Sequence, residues 1–326
     1  MSSPIPRVPS TRRRAAVVYN PAKVDVARLR ALVAAAETRA QYDPALWFET
    51  APEDDGARAA IDAAAERPAV ILVAGGDGTV RAVAEQVAES RIPLAVVAAG
   101  TGNLLARALG LPLNDLPAAV ASAFTGTARP LDVGRVTLQH ADGSVASHAF
   151  LVMAGIGLDA RMAAGTNPRL KKRLGWLAYA DPIGRSVIAN SDFAVHYRLD
   201  DGRRHSTRAH TVIVGNCGTL TGGLLLIPEA RPDDGILDTV ILRPRGAGGW
   251  MQIGLRLGFA RFLHRTATGK LLRQLIRQPY ALRYSRARQI SVTFNSAQEV
   301  ELDGDSFGAI TGAKITVRPG ALRLIR

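Results

Sequence analysis

One segment constrains the fold more than any other, because an apolar run leads directly into glycines and a carboxylate. The sequence from residue 71 is ILVAGGDGT, which ends a strand at Gly75, Gly76 and Gly78 and places Asp77 among them. Glycine lets a backbone approach a phosphate closely, and a helix that follows offers free N–H groups and a positive dipole end. The loop predicts either a phosphate site, with Mg²⁺ between the phosphate and Asp77, or a tight turn without a ligand.

A second loop of the same design follows the next apolar run, where residues 94–103 have the sequence LAVVAAGTGN. Strands are predicted at residues 15–19, 46–50, 69–74 and 94–99, with helices between them. Apolar strands that alternate with helices indicate a doubly wound parallel sheet covered on both faces. Both glycine loops would then lie at the carboxyl ends of strands, where open α/β sheets bind ligands.

The pattern changes after about residue 129, where strand candidates follow one another with turn signals between them. Hairpin-type turns are predicted at residues 141–143 and 200–202, both of which contain Asp-Gly. The strand candidates are residues 132–138, 148–155, 193–199, 210–215, 237–242, 289–294 and 299–302. The second half therefore predicts an antiparallel β-sandwich or barrel, interrupted by helical insertions at about 168–190 and 247–278.

Charge and cysteine content limit the class of partner and the compartment. Lys and Arg number 41 against 28 Asp and Glu, which gives a net charge of +13 and predicts an anionic partner. The basic residues are spread along the chain without an aromatic RNA-binding motif, so nucleic acid is not expected. The single cysteine, Cys217, excludes an internal disulfide and favours a cytoplasmic location. No secretory or membrane-spanning segment is predicted.

Two basic stretches with aromatic residues, at 169–176 and 250–270, fit the surface of an anionic membrane. They predict peripheral attachment to the inner face of the membrane. Packed helices with solvated basic faces explain the same residues equally well.

The chain resembles the diacylglycerol-kinase-like lipid kinases, a family that includes sphingosine, ceramide and bacterial lipid kinases. The resemblance spans most of the chain, and the order and spacing of its motifs make it specific. The matching motifs lie at residues 19–21, 75–79, 99–103, 131–134, 154–160, 222–223, 233–235 and 302–305.

The resemblance implies an α/β ATP-binding domain over residues 1–130, completed by about 310–326, and a lipid-binding β-sandwich over residues 131–309. It also implies which residues contact the ATP. These are Asn20, Pro21, Thr50, Gly75, Gly76, Asp77, Gly78, Thr79, Val80, Arg81, Gly100 and Thr101.

Carboxylates of the matching motifs receive catalytic or metal-binding roles by the same resemblance. Asp305, or Asp303 close to it, would accept the proton of the lipid hydroxyl. Asp77 and Asp132 would organise the catalytic Mg²⁺. A separate structural Mg²⁺ would bind the Asp234 side chain and the carbonyl groups of Arg231 and Ile236.

The expected function is ATP- and Mg²⁺-dependent transfer of the γ-phosphoryl group to a hydroxyl of diacylglycerol or a related lipid. Five positions depart from the family pattern: Val24 lies where a glycine is usual, Arg81 and Ala82 replace an asparagine and a glutamate, Leu104 replaces a carboxylate and Asp305 a glutamate. Two alternatives stay open, an NAD-kinase-like kinase of a soluble substrate and a non-catalytic nucleotide- or lipid-binding regulator. The sequence leaves the acceptor lipid and the oligomeric state open, a homodimer included.

Overall fold

Strands and helices alternate through the first part of the chain in a computed structural model. The structure describes residues 13–157, 192–218, 227, 230–244, 246, 248–249, 253 and 281–326. The elements are β1 (Arg14–Tyr19), α1 (Val26–Ala40), β2 (Asp43–Glu49), α2 (Ala57–Ala65), β3 (Val70–Gly75), α3 (Asp77–Val87), β4 (Pro93–Ala98), α4 (Leu104–Leu109) and α5 (Leu116–Thr125). The four strands are parallel in the order β4-β3-β1-β2.

The two faces of this parallel sheet carry different helices. The apolar sides of α1 and α5 pack on one face, and those of α2 and α3 pack on the other. The chain therefore leaves the neighbouring strands β1 and β3 toward opposite faces. This arrangement opens a crevice at their carboxyl ends, the usual ligand position in a doubly wound sheet.

The second part of the chain is antiparallel and closes around its own apolar core. Its strands are β5 (Ala128–His140), β6 (Val145–Phe150), β7 (Met153–Ile156), β8 (Phe193–Leu199), β9 (Arg204–Ala209), β10 (Thr211–Gly215), β11 (Leu237–Leu242), β12 (Leu282–Ala287), β13 (Gln289–Leu302) and β14 (Asp305–Ile325). The predicted hairpins are confirmed, because β5 pairs with β6 and β8 pairs with β9 in antiparallel register. The predicted fold class, an α/β unit followed by a β-sandwich, is therefore confirmed.

The long strand β14 connects the two parts of the molecule. It pairs antiparallel with β13 and β5, and its last residues run parallel to β4, with Leu324 opposite Leu94. The C-terminus therefore extends the parallel sheet, whereas β5 runs without interruption through residue 130. The proposed domain limits at 130/131 and 309/310 stay a prediction.

Some elements differ from their predicted bounds. α3 begins at Asp77 instead of residue 79, and β13 spans two predicted strands as one. β9 and β12 were not predicted, because their polar side chains lack an apolar alternation. The basic stretches at 169–176 and 250–270 lie almost wholly outside the described residues. Within the described part of the chain, none of the helices has both the length and the hydropathy that crossing a bilayer requires.

Candidate active site

The two glycine loops lie against each other at the carboxyl ends of β3 and β4. A Cβ added to Gly100 would lie 2.8 Å from the Cα of Gly76, and one added to Gly75 would lie 2.7 Å from the Thr79 side chain. A Cβ on Gly102 would lie 2.6 Å from Asp77 Oδ2. The backbone is therefore bare where the first turn of α3 presents amide groups that have no partner within the helix. This bare backbone and helix end fit a nucleotide phosphate.

Asp77 occupies the first turn of α3 and is half-buried between the loops. Its Oδ1 accepts a 2.6 Å hydrogen bond from the Leu104 N–H at the start of α4, and its Oδ2 lies next to Gly102. Burial raises the pKa of Asp77, the amides of Leu104 and Asn103 oppose that rise, and the charge of Asp305 adds to it. Asp77 thus holds the second loop with one oxygen and lies within electrostatic reach of Asp305.

Asp305 reaches the same place from the end of the chain. It follows a two-residue turn between β13 and β14, in which Asp303 and Gly304 both have positive φ angles of 51° and 94°. Asp-Gly is a preferred pair for this turn. The Asp305 side chain is 44% exposed, and a Cβ on Gly78 would lie 3.0 Å from its Oδ2. The hairpin therefore delivers a solvent-accessible carboxylate to the first turn of α3.

Arg81 and Asp55 complete this cluster, and no sequence pattern indicates the contact between them. Arg81 Nη2 lies 3.3 Å from Asp305 Oδ2 and 3.9 Å from Asp55 Oδ2. The Arg81 guanidinium also covers the Phe307 ring at 4.7 Å. Asp55 lies in the loop before α2, which begins at Ala57.

Asp303 does not share this accessibility, which corrects its role as an alternative base. Its Oδ2 accepts a bond from the Leu151 N–H, and its Oδ1 accepts bonds from the Val152 and Met153 N–H groups, at 2.7 to 3.0 Å. The residue is 4% exposed. Burial raises its pKa to about 6, and the three amides oppose that rise. Asp303 therefore anchors the hairpin to residues 151–153, and Asp305 is left as the candidate base.

Asp132 likewise binds backbone amides through both of its carboxylate oxygens. Its Oδ2 accepts from the Gly235 N–H at 2.6 Å and its Oδ1 from the Gly320 N–H at 2.7 Å. The residue is buried on β5 and faces the loop before β11 and the bulge in β14. These bonds give Asp132 a structural role, and its predicted role in organising the catalytic Mg²⁺ stays a prediction.

In the loop that was predicted to bind a metal ion, the Asp234 carboxylate is paired with an arginine. Asp234 Oδ1 accepts from the Ile236 N–H at 3.1 Å, and its Oδ2 pairs with Arg286 Nη2. Arg286 Nε lies 3.3 Å from Asp238 Oδ1, directly across the β11–β12 pair. A guanidinium therefore supplies the positive charge here. This arrangement does not fit a Mg²⁺ bound by Asp234 and the carbonyls of Arg231 and Ile236. In the part of the chain that the structure describes, no group of three or more His, Cys, Asp or Glu is arranged to hold a metal ion.

The other predicted nucleotide contacts fall into two groups. Asn20 and Pro21 follow β1, and the Asn20 N–H donates to the Ala74 carbonyl near the end of β3 at 2.9 Å, so this loop borders the crevice. Gly100 and Thr101 are accessible in the second loop. In contrast, Thr50, Thr79 and Val80 are buried, with Val80 in the core beneath α3. The buried side chains shape the loops and are not available to contact a ligand.

A cavity of about 400 Å³ adjoins this crevice on the α1 side of the sheet. The ends of β4, α1 and α5 line it, and its polar members are Lys23, Asp25, Arg28, Asn114 and Asp115. Its volume falls within the range of small-molecule sites.

Comparisons with known proteins agree with this architecture. Residues 14–136 match the model of the diacylglycerol kinase catalytic domain. Residues 152–326 match the model of the YegS C-terminal NAD kinase beta sandwich-like domain. The chain belongs to the family of lipid kinases that these two domains define.

Individual relatives cover most of the chain. A Pseudomonas aeruginosa protein described as "Probable lipid kinase YegS-like" is 32% identical over 278 residues, 83% of this chain and 82% of its own length. A Bacillus subtilis protein described as "Diacylglycerol kinase" is 28% identical over 307 residues, 92% of each chain.

Solved structures share the fold. A Bacillus anthracis protein assigned to the diacylglycerol kinases superposes with a TM-score of 0.73 at 23% identity and covers 99% of this chain and 98% of its own. Yeast NADH kinase, complexed with NADH, has a TM-score of 0.51 at 10% identity and covers 97% of this chain and 84% of its own. At these identities the comparison shows the fold alone.

Proposed function

We propose that this protein transfers the γ-phosphoryl group of ATP, with Mg²⁺, to a hydroxyl of diacylglycerol or a related lipid. The observation that carries the proposal is the meeting of three parts at the carboxyl end of β3. The glycine loops, Asp77 in the first turn of α3 and Asp305 from the last hairpin lie within contact of one another. Phosphoryl transfer needs these parts: a phosphate cradle, a carboxylate for the metal and a proton acceptor.

Each part has a separate task in this proposal. The bare backbone of the two loops and the amides of the first turn of α3 hold the phosphates. Asp77 would hold the metal, because only one of its carboxylate oxygens accepts the Leu104 N–H. ATP supplies the phosphoryl group, and Mg²⁺ neutralises charge on the phosphates. Asp305 takes the proton of the acceptor hydroxyl, because its carboxylate is accessible and lies beside Gly78. The chain's own contribution is therefore positioning and charge stabilisation.

The acceptor and the place of action rest on the family and on charge. The named relatives are lipid and diacylglycerol kinases, and the net charge of +13 suits an anionic membrane surface. We infer a cytoplasmic enzyme that works peripherally on the inner face of the membrane.

A soluble substrate is the second candidate, favoured by the match to an NAD kinase beta sandwich-like domain. Wild-type protein should be incubated with γ-labelled ATP and a panel of acceptors, with and without Mg²⁺. The panel holds diacylglycerol, sphingosine, ceramide and a glycerophospholipid in mixed micelles, and NAD and NADH in solution. A labelled lipid that requires Mg²⁺ supports the proposal, and a labelled dinucleotide supports the second candidate. Nucleotide binding without any labelled product would indicate a non-catalytic regulator.

A further inference from the structure

The Arg81 side chain is buried where a solvated arginine would be expected. Only 7% of it is exposed, although Arg81 follows the glycine loop directly on the first turns of α3. A guanidinium loses its hydration on burial, and close anionic partners must offset that cost. The partners of Arg81 therefore show how its charge is used.

Those partners come from the two segments that face the first turn of α3. Asp305 is 3.3 Å away and Asp55 is 3.9 Å away, measured from Arg81 Nη2 to the carboxylate oxygens. The Phe307 ring, two residues after Asp305 on β14, lies beneath the guanidinium at 4.7 Å. Arg81 thus connects the nucleotide-side helix to a hairpin 224 residues further along the chain.

The hairpin is fixed at its turn but not at the Asp305 side chain. Asp303 binds three backbone amides and so fixes the turn itself. The Asp305 carboxylate is 44% exposed, and among the described residues its ion pair is with Arg81. The direction in which Asp305 points therefore depends on Arg81.

We propose that Arg81 is a positioning residue for phosphoryl transfer, holding the Asp305 carboxylate beside Gly78 to receive the acceptor proton. This inference rests on the proposed function, because it gives Arg81 its role through Asp305. The Arg81 Nε is buried and has no hydrogen-bond partner among the described residues. A guanidinium selected for stability alone would satisfy that donor. The Arg81–Asp305 pair therefore holds the carboxylate in place, although the unsatisfied Nε lowers the stability of the fold.

The test is a set of four variants with a matched control. Arg81→Met removes the charge and keeps an apolar stem, and Arg81→Lys keeps the charge with a shorter reach. Asp305→Glu lengthens the partner by one methylene, and the double variant Arg81→Lys/Asp305→Glu compares the two changes together. Arg208 lies on β9 and makes a bidentate pair with Asp192, the residue before β8. Arg208→Met breaks this pair and serves as the control for losing an arginine ion pair elsewhere.

The measurements are kcat and KM for both substrates of the wild type, together with ATP affinity by calorimetry. We expect Arg81→Met to lower kcat about 100-fold, the cost of misplacing a reacting group by roughly 1 Å. ATP affinity should stay within about twofold, because the loops are unchanged. The kcat of the double variant should be about tenfold higher than that of Arg81→Lys, because the longer glutamate side chain makes up for the shorter lysine. Arg208→Met should match the wild type.

Other outcomes overturn the inference in distinguishable ways. Arg81→Met with wild-type kcat shows that Arg81 does not position the base. Loss of ATP affinity with unchanged kcat shows a role in nucleotide binding, and a double variant no better than Arg81→Lys shows that the pair does not act together. If the wild type transfers phosphate to no acceptor on the panel, the proposed function fails and the role of Arg81 fails with it.

Discussion

Asp77 and Asp305 differ from Asp132 and Asp303 in what their oxygens contact. In the second pair, both carboxylate oxygens accept backbone N–H groups. In the first pair, Asp77 accepts one amide through Oδ1 and Asp305 lies partly in solvent beside an arginine. All four match motifs of one family, so a motif match alone does not separate chemistry from architecture. What distinguishes Asp77 and Asp305 from the other two is a carboxylate oxygen that no backbone amide binds.

The largest expected effect is the loss of transfer in Asp77→Asn. Asparagine keeps an oxygen for the Leu104 N–H but removes the charge that would hold the metal. Transfer should fall at least about 1000-fold. The free energy of unfolding should change by less than about 1 kcal/mol, because the hydrogen bond is retained. Radiolabel transfer and urea unfolding measure the two quantities. A folded variant with near-normal transfer would remove Asp77 from the site.

The next effect is one of stability, in Asp303→Ala. At about pH 4, three backbone amides lose their acceptor, which should lower the free energy of unfolding by about 3 kcal/mol. The rate per folded molecule should stay within a few-fold of the wild type, provided that the measurement is made well below the unfolding midpoint. If Asp303→Ala keeps its stability and loses its rate instead, Asp303 belongs with Asp77 and Asp305.

A smaller effect is the pH dependence of that stability. The folded pKa of Asp303 is raised to about 6 from the ordinary 3.8, so the unfolded chain ionises first as pH rises. The stabilising contribution of Asp303 is complete below about pH 4 and is lost as pH rises through 6. The difference in unfolding free energy between wild type and Asp303→Ala should therefore shrink between pH 4 and 6. A difference that grows over this window would show that the amides outweigh burial.

The smallest effect is expected at the Asp234 loop. Arg286 already supplies the positive charge there, so removing Mg²⁺ with EDTA should leave the Tm of the ligand-free wild type unchanged. Arg286→Met frees Asp234, and Mg²⁺ should then raise the Tm of that variant. If Mg²⁺ stabilises the wild type and Asp234→Asn abolishes the effect, the loop is a metal site after all.

Sequence patterns were sufficient for the strands with continuous apolar runs and for both glycine loops. β3 is apolar and buried at every position, as its continuous apolar sequence predicts for a strand in the interior of a covered sheet. The prediction divides β13 in two because the polar residues Asn295, Ser296 and Gln298 interrupt its alternation, although the ladder with β14 continues past them with a bulge. Local pattern does not report a bulge that the partner strand tolerates.

A residue of the candidate site could be predicted from the sequence only where it belongs to a recognisable motif. Asp77 and Asp305 follow from loop and turn motifs. The contacts of Arg81 with Asp55 and Asp305 depend on how distant segments pack, so no local signal indicates them. The sequence likewise shows Asp132, Asp234 and Asp303 as acids, but it does not show the backbone amides or the arginine that bind their carboxylates.

The comparison of Asp305→Asn with Asp132→Asn tests the central claim most directly. Both substitutions remove one charge from an aspartate that matches the family, and the rate of γ-phosphoryl transfer per folded molecule is the measured quantity. The account predicts a loss of about 100-fold or more for Asp305→Asn, the usual contribution of a positioned base. It predicts a rate within a few-fold of the wild type for Asp132→Asn. A larger loss at Asp132 than at Asp305 would contradict the account.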